Sequence, residues 1–245
     1  MERLTRLFGV VTAVLIAASG ALMYAAAWER WWPACPRGAF DSDRCVRLQD
    51  HLYDVAWPGD PWVPVGDAAV LAGLSHLVLA VAMAGVPTVM LGRRHRLLNM
   101  VSVVVMSGGL LVFGLMALLS GRSGEPELQG WWLSVAGAVW ALGLPAMLIT
   151  LGIVAAYDDR PGGGWRWLAV FLLLGSTPLG LAFAGPIGTG YASYDTSPWT
   201  EAVGAVLLVL AAPAVWRAGV VGRRPRAVEP DEDGRDVSLH ASDAT

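Results

Sequence analysis

The chain has 245 residues, of which 55% are hydrophobic and only 15% are charged, and its mean hydropathy is +0.52. This balance excludes an ordinary soluble domain, in which about a quarter of the residues are charged, and the net charge of −3 gives no support to nucleic-acid binding. All seventeen basic residues are arginine. Mechanisms that need a lysine amine, such as Schiff-base formation, are therefore excluded as well.

Six long apolar runs follow one another along the chain. A helix needs about 20 apolar residues to cross the hydrocarbon of a bilayer. The runs cover roughly 7–28, 67–91, 97–120, 131–157, 167–186 and 199–216. The sequence therefore predicts an all-α integral membrane protein, a six-helix transmembrane bundle. Its predicted parts are a cytoplasmic N-terminus with helix 1 (1–28), a short disulfide-bonded extracytoplasmic loop (29–66), helices 2 to 6 (67–216) and a disordered cytoplasmic tail (217–245).

The first run follows Arg3 and Arg6, which is also the arrangement of a signal peptide. Its 21 apolar residues, Leu7 to Ala27, exceed the roughly 7 to 15 of a signal sequence. Small residues recur at every fourth position from Gly9 to Ala25, a pattern that lets membrane helices approach closely. We expect a retained helix, and a cleaved signal peptide is the alternative.

The loop after the first helix is polar, rich in tryptophan and holds both cysteines. Cys35 and Cys45 are predicted to form a disulfide, because the exterior is oxidising and their spacing is not that of a C-x-x-C redox motif. Asp41 or Ser42 can cap a short helix that contains Cys45. His51 and Asp54 could share a metal ion or a proton, but no third ligand completes a pattern, so no metal is predicted.

His76 is the one ionisable residue well inside a membrane run. It shares a helix face with small residues such as Ala72, Gly73 and Ala80, so it is expected to face other helices instead of lipid. Because ionisable groups at this depth often mark a pathway or reaction centre, His76 is a candidate catalytic residue. The alternative is a neutral histidine that is hydrogen-bonded to a backbone carbonyl or hydroxyl.

Three acidic residues join His76 as catalytic candidates, namely Asp67, Asp195 and Glu201. An apolar pocket raises the pKa of a carboxyl group toward useful acid strength. Structural alternatives are open, since Asp67 can cap the second membrane helix and Glu201 can complement the dipole of the sixth. In the fifth run, Pro178 lies in the string "GSTPLG", which we interpret as a bend in one helix.

Arginine placement predicts the orientation, because cytoplasmic loops retain positive charge. With Arg235 of the distal tail left out of the count, eleven arginines lie on the side that holds both chain ends, and five, including Arg30, lie on the other side. Both termini are therefore expected in the cytoplasm, and the lysine-free composition favours a bacterial cell membrane. In the tail, a lipid headgroup contact is predicted for three arginines, Arg223, Arg224 and Arg226.

Three functions are compatible with these residues. The first is an accessory or ligand-binding bundle with an outward-facing polar site. The alternatives are a membrane-embedded enzyme acting on a lipid or isoprenoid and a small uncoupled transporter or channel. The expected partners are the lipid bilayer and either a hydrophobic small-molecule ligand or other membrane subunits, and no cofactor is predicted.

Overall fold

The computed structural model describes residues 2–92, 95–157, 162–193 and 195–221. The predicted headgroup contacts of Arg223, Arg224 and Arg226 lie outside the described residues. The described part is helical, with a 3-10 turn at His51–Tyr53 and a π-helical segment at Val139–Gly143. Its α-helices are α1 (Glu2–Trp31), α2 (Asp43–Leu48), α3 (Ala68–Leu91), α4 (Arg96–Ser123), α5 (Trp132–Ala138), α6 (Leu144–Ala156), α7 (Gly163–Gly175), α8 (Pro178–Thr189) and α9 (Thr200–Val221).

Five helices are long and apolar enough to cross a membrane, and α7 with α8 makes a sixth span if the pair is counted as one. The π-helical segment joins α5 and α6 into one continuous span, Trp132–Ala156. Pro145 is the second residue after this segment, and a proline at that place removes a regular backbone hydrogen bond. The helical membrane bundle predicted from the sequence is confirmed.

The helices pack closely where the sequence supplies glycine. α1 lies between α3 and α9, and α3 packs along α4. A Cβ atom on Gly73 would lie 2.5 Å from the backbone nitrogen of Leu118 in α4, and one on Gly20 would lie 2.8 Å from the carbonyl oxygen of Ala205 in α9. Because no side chain fits at these crossings, glycine allows the backbones to touch.

Helices α1 and α9 are antiparallel neighbours over most of their length. Gly9 lies beside Gly219 at one end, and Arg30 binds Glu201 at the other. The start of α1 and the finish of α9 therefore lie at the same end of the bundle. We call the opposite end, formed by residues 31–67 and 190–200, the disulfide end.

The fifth predicted helix, 167–186, is two helices in the structure. α7 and α8 meet at an angle of 84°. The carbonyl of Leu174 accepts hydrogen bonds from the backbone N–H and the hydroxyl of Thr177, and the same hydroxyl accepts one from the N–H of Gly180. Thr177 thus closes α7 and caps α8, while Pro178 occupies the first position of α8. The proline begins a helix instead of bending one.

The disulfide end is held together by a covalent bond and by hydrogen bonds between its two segments. Cys35 and Cys45 form the predicted disulfide, with their Cα atoms 4.9 Å apart. Ser42 caps α2, as one of the two predicted caps, by accepting a hydrogen bond from the N–H of Cys45. Gln49 joins the segments, since its carbonyl oxygen accepts from the N–H of Thr196.

Candidate functional site

An internal cavity of about 110 Å³ lies among the membrane helices. Its lining is mostly leucine and methionine, and residues from α1, α3, α4, α6, α7, α8 and α9 contribute to it. Its polar lining residues are Ser75, His76, Ser176 and Glu201. Two of the four residues predicted as catalytic candidates, His76 and Glu201, therefore share one apolar cavity.

His76 is almost completely buried in α3, with 5% of its surface exposed. Its ring meets the ring of Trp140 edge to face at 5.3 Å, and Trp140 stacks on Phe113 at 4.6 Å. The carbonyl of Ala72 lies near the ring one turn earlier, but Nδ1 has no partner at hydrogen-bonding geometry within the described ranges. Because a buried polar atom without a partner is costly, His76 is the lining residue with hydrogen-bonding capacity to offer.

The two serines of the cavity are already satisfied. The hydroxyl of Ser75 donates to the carbonyl of Ser19 at 2.8 Å and lies 2.9 Å from the hydroxyl of the same residue. The hydroxyl of Ser176 donates to the carbonyl of Leu173 at 2.8 Å. These groups tie α1 to α3 and close the end of α7, so they serve the packing of the helices around the cavity.

Glu201, in the first turn of α9, is bound from α1. Nη1 of Arg30 donates to Oε1 of Glu201 at 2.8 Å, and the indole N–H of Trp31 donates to Oε2 at 2.7 Å. Only 12% of the Glu201 side chain and 1% of the Arg30 side chain are exposed. The carboxylate therefore interacts chiefly with these two donors. The sequence predicts only the favourable interaction of this carboxylate with the dipole at the start of α9.

Arg30 is shared between two acidic residues. Its Nη2 lies 3.1 Å from Oδ1 of Asp54 and donates to the carbonyl of Leu48 at 3.0 Å. The hydroxyl of Thr196 also donates to Oδ1 of Asp54, at 3.1 Å. Burial raises the pKa of Asp54 above its usual range, against the attraction of Arg30, and the nearby charge of Glu201 raises it further. Asp54 is only partly buried, since 28% of its side chain is exposed, whereas Arg30 is almost fully buried. We call Arg30, Asp54 and Glu201 the buried ion triad, after Arg30.

The buried ion triad could not be predicted from the sequence, in which Arg30 counted only as one of five external positive charges. Its members come from α1, the disulfide-bonded segment and α9, and Arg30 is 171 residues from Glu201. One sequence signal was present, because Arg30 lies two residues after the first apolar run and Glu201 is the third residue of the last one. Two opposite charges at the same end of two membrane helices favour pairing over separate burial.

The other candidates lie apart from the internal cavity. Asp67 is exposed at the position before α3 and makes no capping hydrogen bond, so the cap predicted for it is absent. Asp195 is exposed and accepts a hydrogen bond from the N–H of His51 at 2.7 Å. Asp50, His51 and Asp195 form an exposed group, whereas Asp54 binds Arg30 and not the imidazole with which the sequence analysis grouped it.

The internal cavity suits one class of occupant. A cavity of about 150 Å³ in an apolar protein core stays dry and holds a molecule the size of benzene. At about 110 Å³, this cavity has room for a single small ring or for one end of a longer chain. Comparisons of the chain with protein-family models, curated proteins and solved structures give no match. Its function is therefore inferred from this geometry alone.

Proposed function

We propose that this membrane protein is a ligand-binding bundle that holds a small, mostly apolar, uncharged molecule in its internal cavity. The observation that carries the proposal is the buried His76, which lines the cavity and has an Nδ1 atom without a hydrogen-bond partner. A hydroxyl or carbonyl group of the occupant would bond the imidazole, because a neutral imidazole has one donor and one acceptor nitrogen. The apolar walls would hold the rest of the molecule.

The charge of the occupant follows from the groups around the cavity. Glu201 is the acidic lining residue, and its carboxylate is already paired with Arg30. A charged occupant would add an unpaired charge to an apolar cavity, which is strongly unfavourable. A neutral molecule with one hydrogen-bonding group therefore fits best.

We also propose the orientation of the bundle. The disulfide end faces the outside of a bacterial cell membrane, and both termini lie in the cytoplasm. An oxidising exterior supports the Cys35–Cys45 bond. The count of eleven arginines against five, with Arg235 of the distal tail left out, supports the same orientation. Glu201 and the rest of the buried ion triad would then separate the cavity from the external medium.

Thermal unfolding of the purified protein in detergent tests this function with two probes of similar size, phenol and toluene. We expect both to raise the apparent Tm, since ligands stabilise the state that binds them. We expect phenol to raise it more, because its hydroxyl can bond His76. The His76→Leu variant should lose the difference between the probes but keep the response to toluene.

The matched control is His51→Leu, because His51 is exposed at the disulfide end and does not line the cavity. This variant should respond to both probes as the wild type does. Equal responses to phenol and toluene in the wild type, or a preference for phenol that survives in His76→Leu, would contradict the proposal.

A membrane-embedded enzyme is the second candidate, favoured by the position of His76 and Glu201 on one cavity. There His76 would move a proton to or from a lipid or isoprenoid substrate, while Glu201 and Arg30 would position the reacting end. Incubation of the purified protein with a lipid extract, followed by mass spectrometry, tests this activity. Conversion of a lipid by the wild type but not by His76→Leu supports it, and unchanged lipids with both proteins exclude it for that extract.

A further inference from the structure

A second, larger concavity lies on the outer surface of α1 and α9. Its volume is about 560 Å³. We call it the tryptophan groove, after Trp28, Trp32 and Trp199, which line it near the disulfide end. Val203, Val206 and Leu207 continue the lining along α9. The groove is separate from the internal cavity, since the two have no lining residue in common.

The tryptophan groove has a polar end and an apolar end. Arg37 is its one ionised lining residue, and it is exposed. Within the part of the chain that the structure describes, Arg37 has no hydrogen bond or ion pair to satisfy its guanidinium. From Ala202 to Leu207 the apolar lining extends for five residues, about 8 Å along α9. The cation therefore lies at the disulfide end, and the apolar lining leads from it toward the middle of the bundle.

The aromatic wall of this groove is held in place by its own contacts. Trp28 stacks on Trp32 with ring centroids 5.2 Å apart and meets Trp199 edge to face at 5.9 Å. The indole N–H of Trp199 donates to the carbonyl of Cys35 at 2.8 Å, so the disulfide-bonded segment positions this ring. Trp199 also has a φ of 65°, a conformation that is rare for a large residue and is kept only where surrounding contacts require it.

We propose that the tryptophan groove binds one anionic phospholipid of the surrounding bilayer. An acyl chain lies along α9 against Val206 and Leu207, and the phosphate pairs with Arg37. Charge complementarity supports this occupant, because among the residues that the structure describes the groove offers one unpaired guanidinium and no carboxylate. A lipid in a leaflet has the same arrangement, with its charged headgroup at the membrane surface and its acyl chains leading toward the middle of the bilayer. Tryptophan is enriched at the boundary between lipid headgroups and hydrocarbon, because its ring is apolar and its N–H is polar.

Native mass spectrometry of the full chain, released from detergent, tests the proposal with phosphatidylglycerol and phosphatidylcholine of identical acyl chains. The wild type should bind its first phosphatidylglycerol about fivefold more tightly than its first phosphatidylcholine, as expected for one basic residue near a membrane surface. Arg37→Gln should remove this preference. Arg44→Gln is the matched control, because Arg44 is exposed on α2 and lies outside the groove, and it should bind both lipids as the wild type does.

A second variant tests the apolar part of the groove. Val206→Trp should fill the groove and weaken the first binding of both lipids. Val81→Trp, at an exposed position of α3 outside the groove, should not. Equal losses in Arg37→Gln and Arg44→Gln would overturn the proposal in favour of general surface charge. A wild-type dimer that Val206→Trp dissociates, without any effect on lipid binding, would overturn it in favour of a second copy of the chain.

Discussion

The Glu201 carboxylate is the group whose loss should destabilise the disulfide end most, and Glu201→Gln is the variant that tests this. The carboxylate accepts charge-assisted hydrogen bonds from Arg30 at 2.8 Å and Trp31 at 2.7 Å. The amide keeps one acceptor oxygen and turns a donor toward the other N–H group. Removing one partner of a buried ion pair costs about 3–5 kcal/mol. Because Arg30 keeps Asp54 at 3.1 Å, we expect the lower bound, about 3 kcal/mol.

For a chain of this length, 1 kcal/mol shifts the Tm by about 2–4 °C. Glu201→Gln should therefore lower the apparent Tm by about 6–12 °C, as measured by tryptophan fluorescence during heating in detergent. Asp195→Asn is the control, because the Asp195 side chain is 40% exposed and exposed pairs contribute less than about 1 kcal/mol. Its Tm should fall by less than about 4 °C.

The Arg30→Met variant completes a double-mutant cycle with Glu201→Gln. If the two side chains stabilise the fold by interacting with each other, their effects should not add. The Tm of the double variant should then lie well above the value obtained by adding the Tm losses of the two single variants. Two results would refute the reasoning. One is additive losses in the double variant, and the other is a Glu201→Gln shift no larger than that of Asp195→Asn.

Three further predictions use the same unfolding assay. A reductant should lower the free energy of unfolding by about 3 kcal/mol, because it opens the Cys35–Cys45 bond. The variant with serine at both positions should be insensitive to reductant. An unchanged Tm with free thiols present would contradict this prediction. Gly73→Ala should lower the free energy of unfolding by about 1–3 kcal/mol, because the added Cβ would meet the α4 backbone. Gly108→Ala should be neutral or stabilising, because the space beside Gly108 is open. Burial raises the folded-state pKa of Asp54, so as pH falls from 7 through that pKa the wild type should gain stability relative to Asp54→Asn, and a loss would contradict the assignment.

The features that could be predicted from the sequence are those with a local cause. Apolar runs of sufficient length specify the membrane helices, because the hydrocarbon requires every backbone group to be satisfied within its own helix. The burial of His76 also followed from a local pattern, the small residues on its helix face. Ser42 was one of two predicted caps for α2, and the structure shows the hydrogen bond that it accepts from Cys45.

The break between α7 and α8 had a local signal that hydropathy conceals. The residues Gly175, Ser176, Thr177 and Pro178 combine a helix end, a capping threonine and a first-position proline. Averaged over a membrane-length window, these few residues are outweighed by the apolar residues on both sides. Assigning helix caps before averaging the hydropathy predicts two helices here.

The internal cavity and the buried ion triad could not be predicted in this way. A cavity is a volume that the side chains of seven helices leave unfilled, and no single segment determines it. The triad depends on a contact between Arg30 and Glu201, which are far apart in the chain. Counting arginines by loop assigns each one to a side of the membrane but does not identify its partner.

The bend between α7 and α8 has a consequence for the lipid around the protein. α7 has 13 residues and α8 has 12, about 20 Å and 18 Å, and at 84° to one another neither covers a hydrocarbon layer of about 30 Å. α4, with 28 residues, measures about 42 Å. We therefore expect the bilayer to thin along the flank formed by α7 and α8, which is one way in which a short apolar segment is accommodated, and to keep its ordinary thickness along α4. Proteins with equally short apolar belts would gather at the thin flank, because a shared deformation costs less than two separate ones.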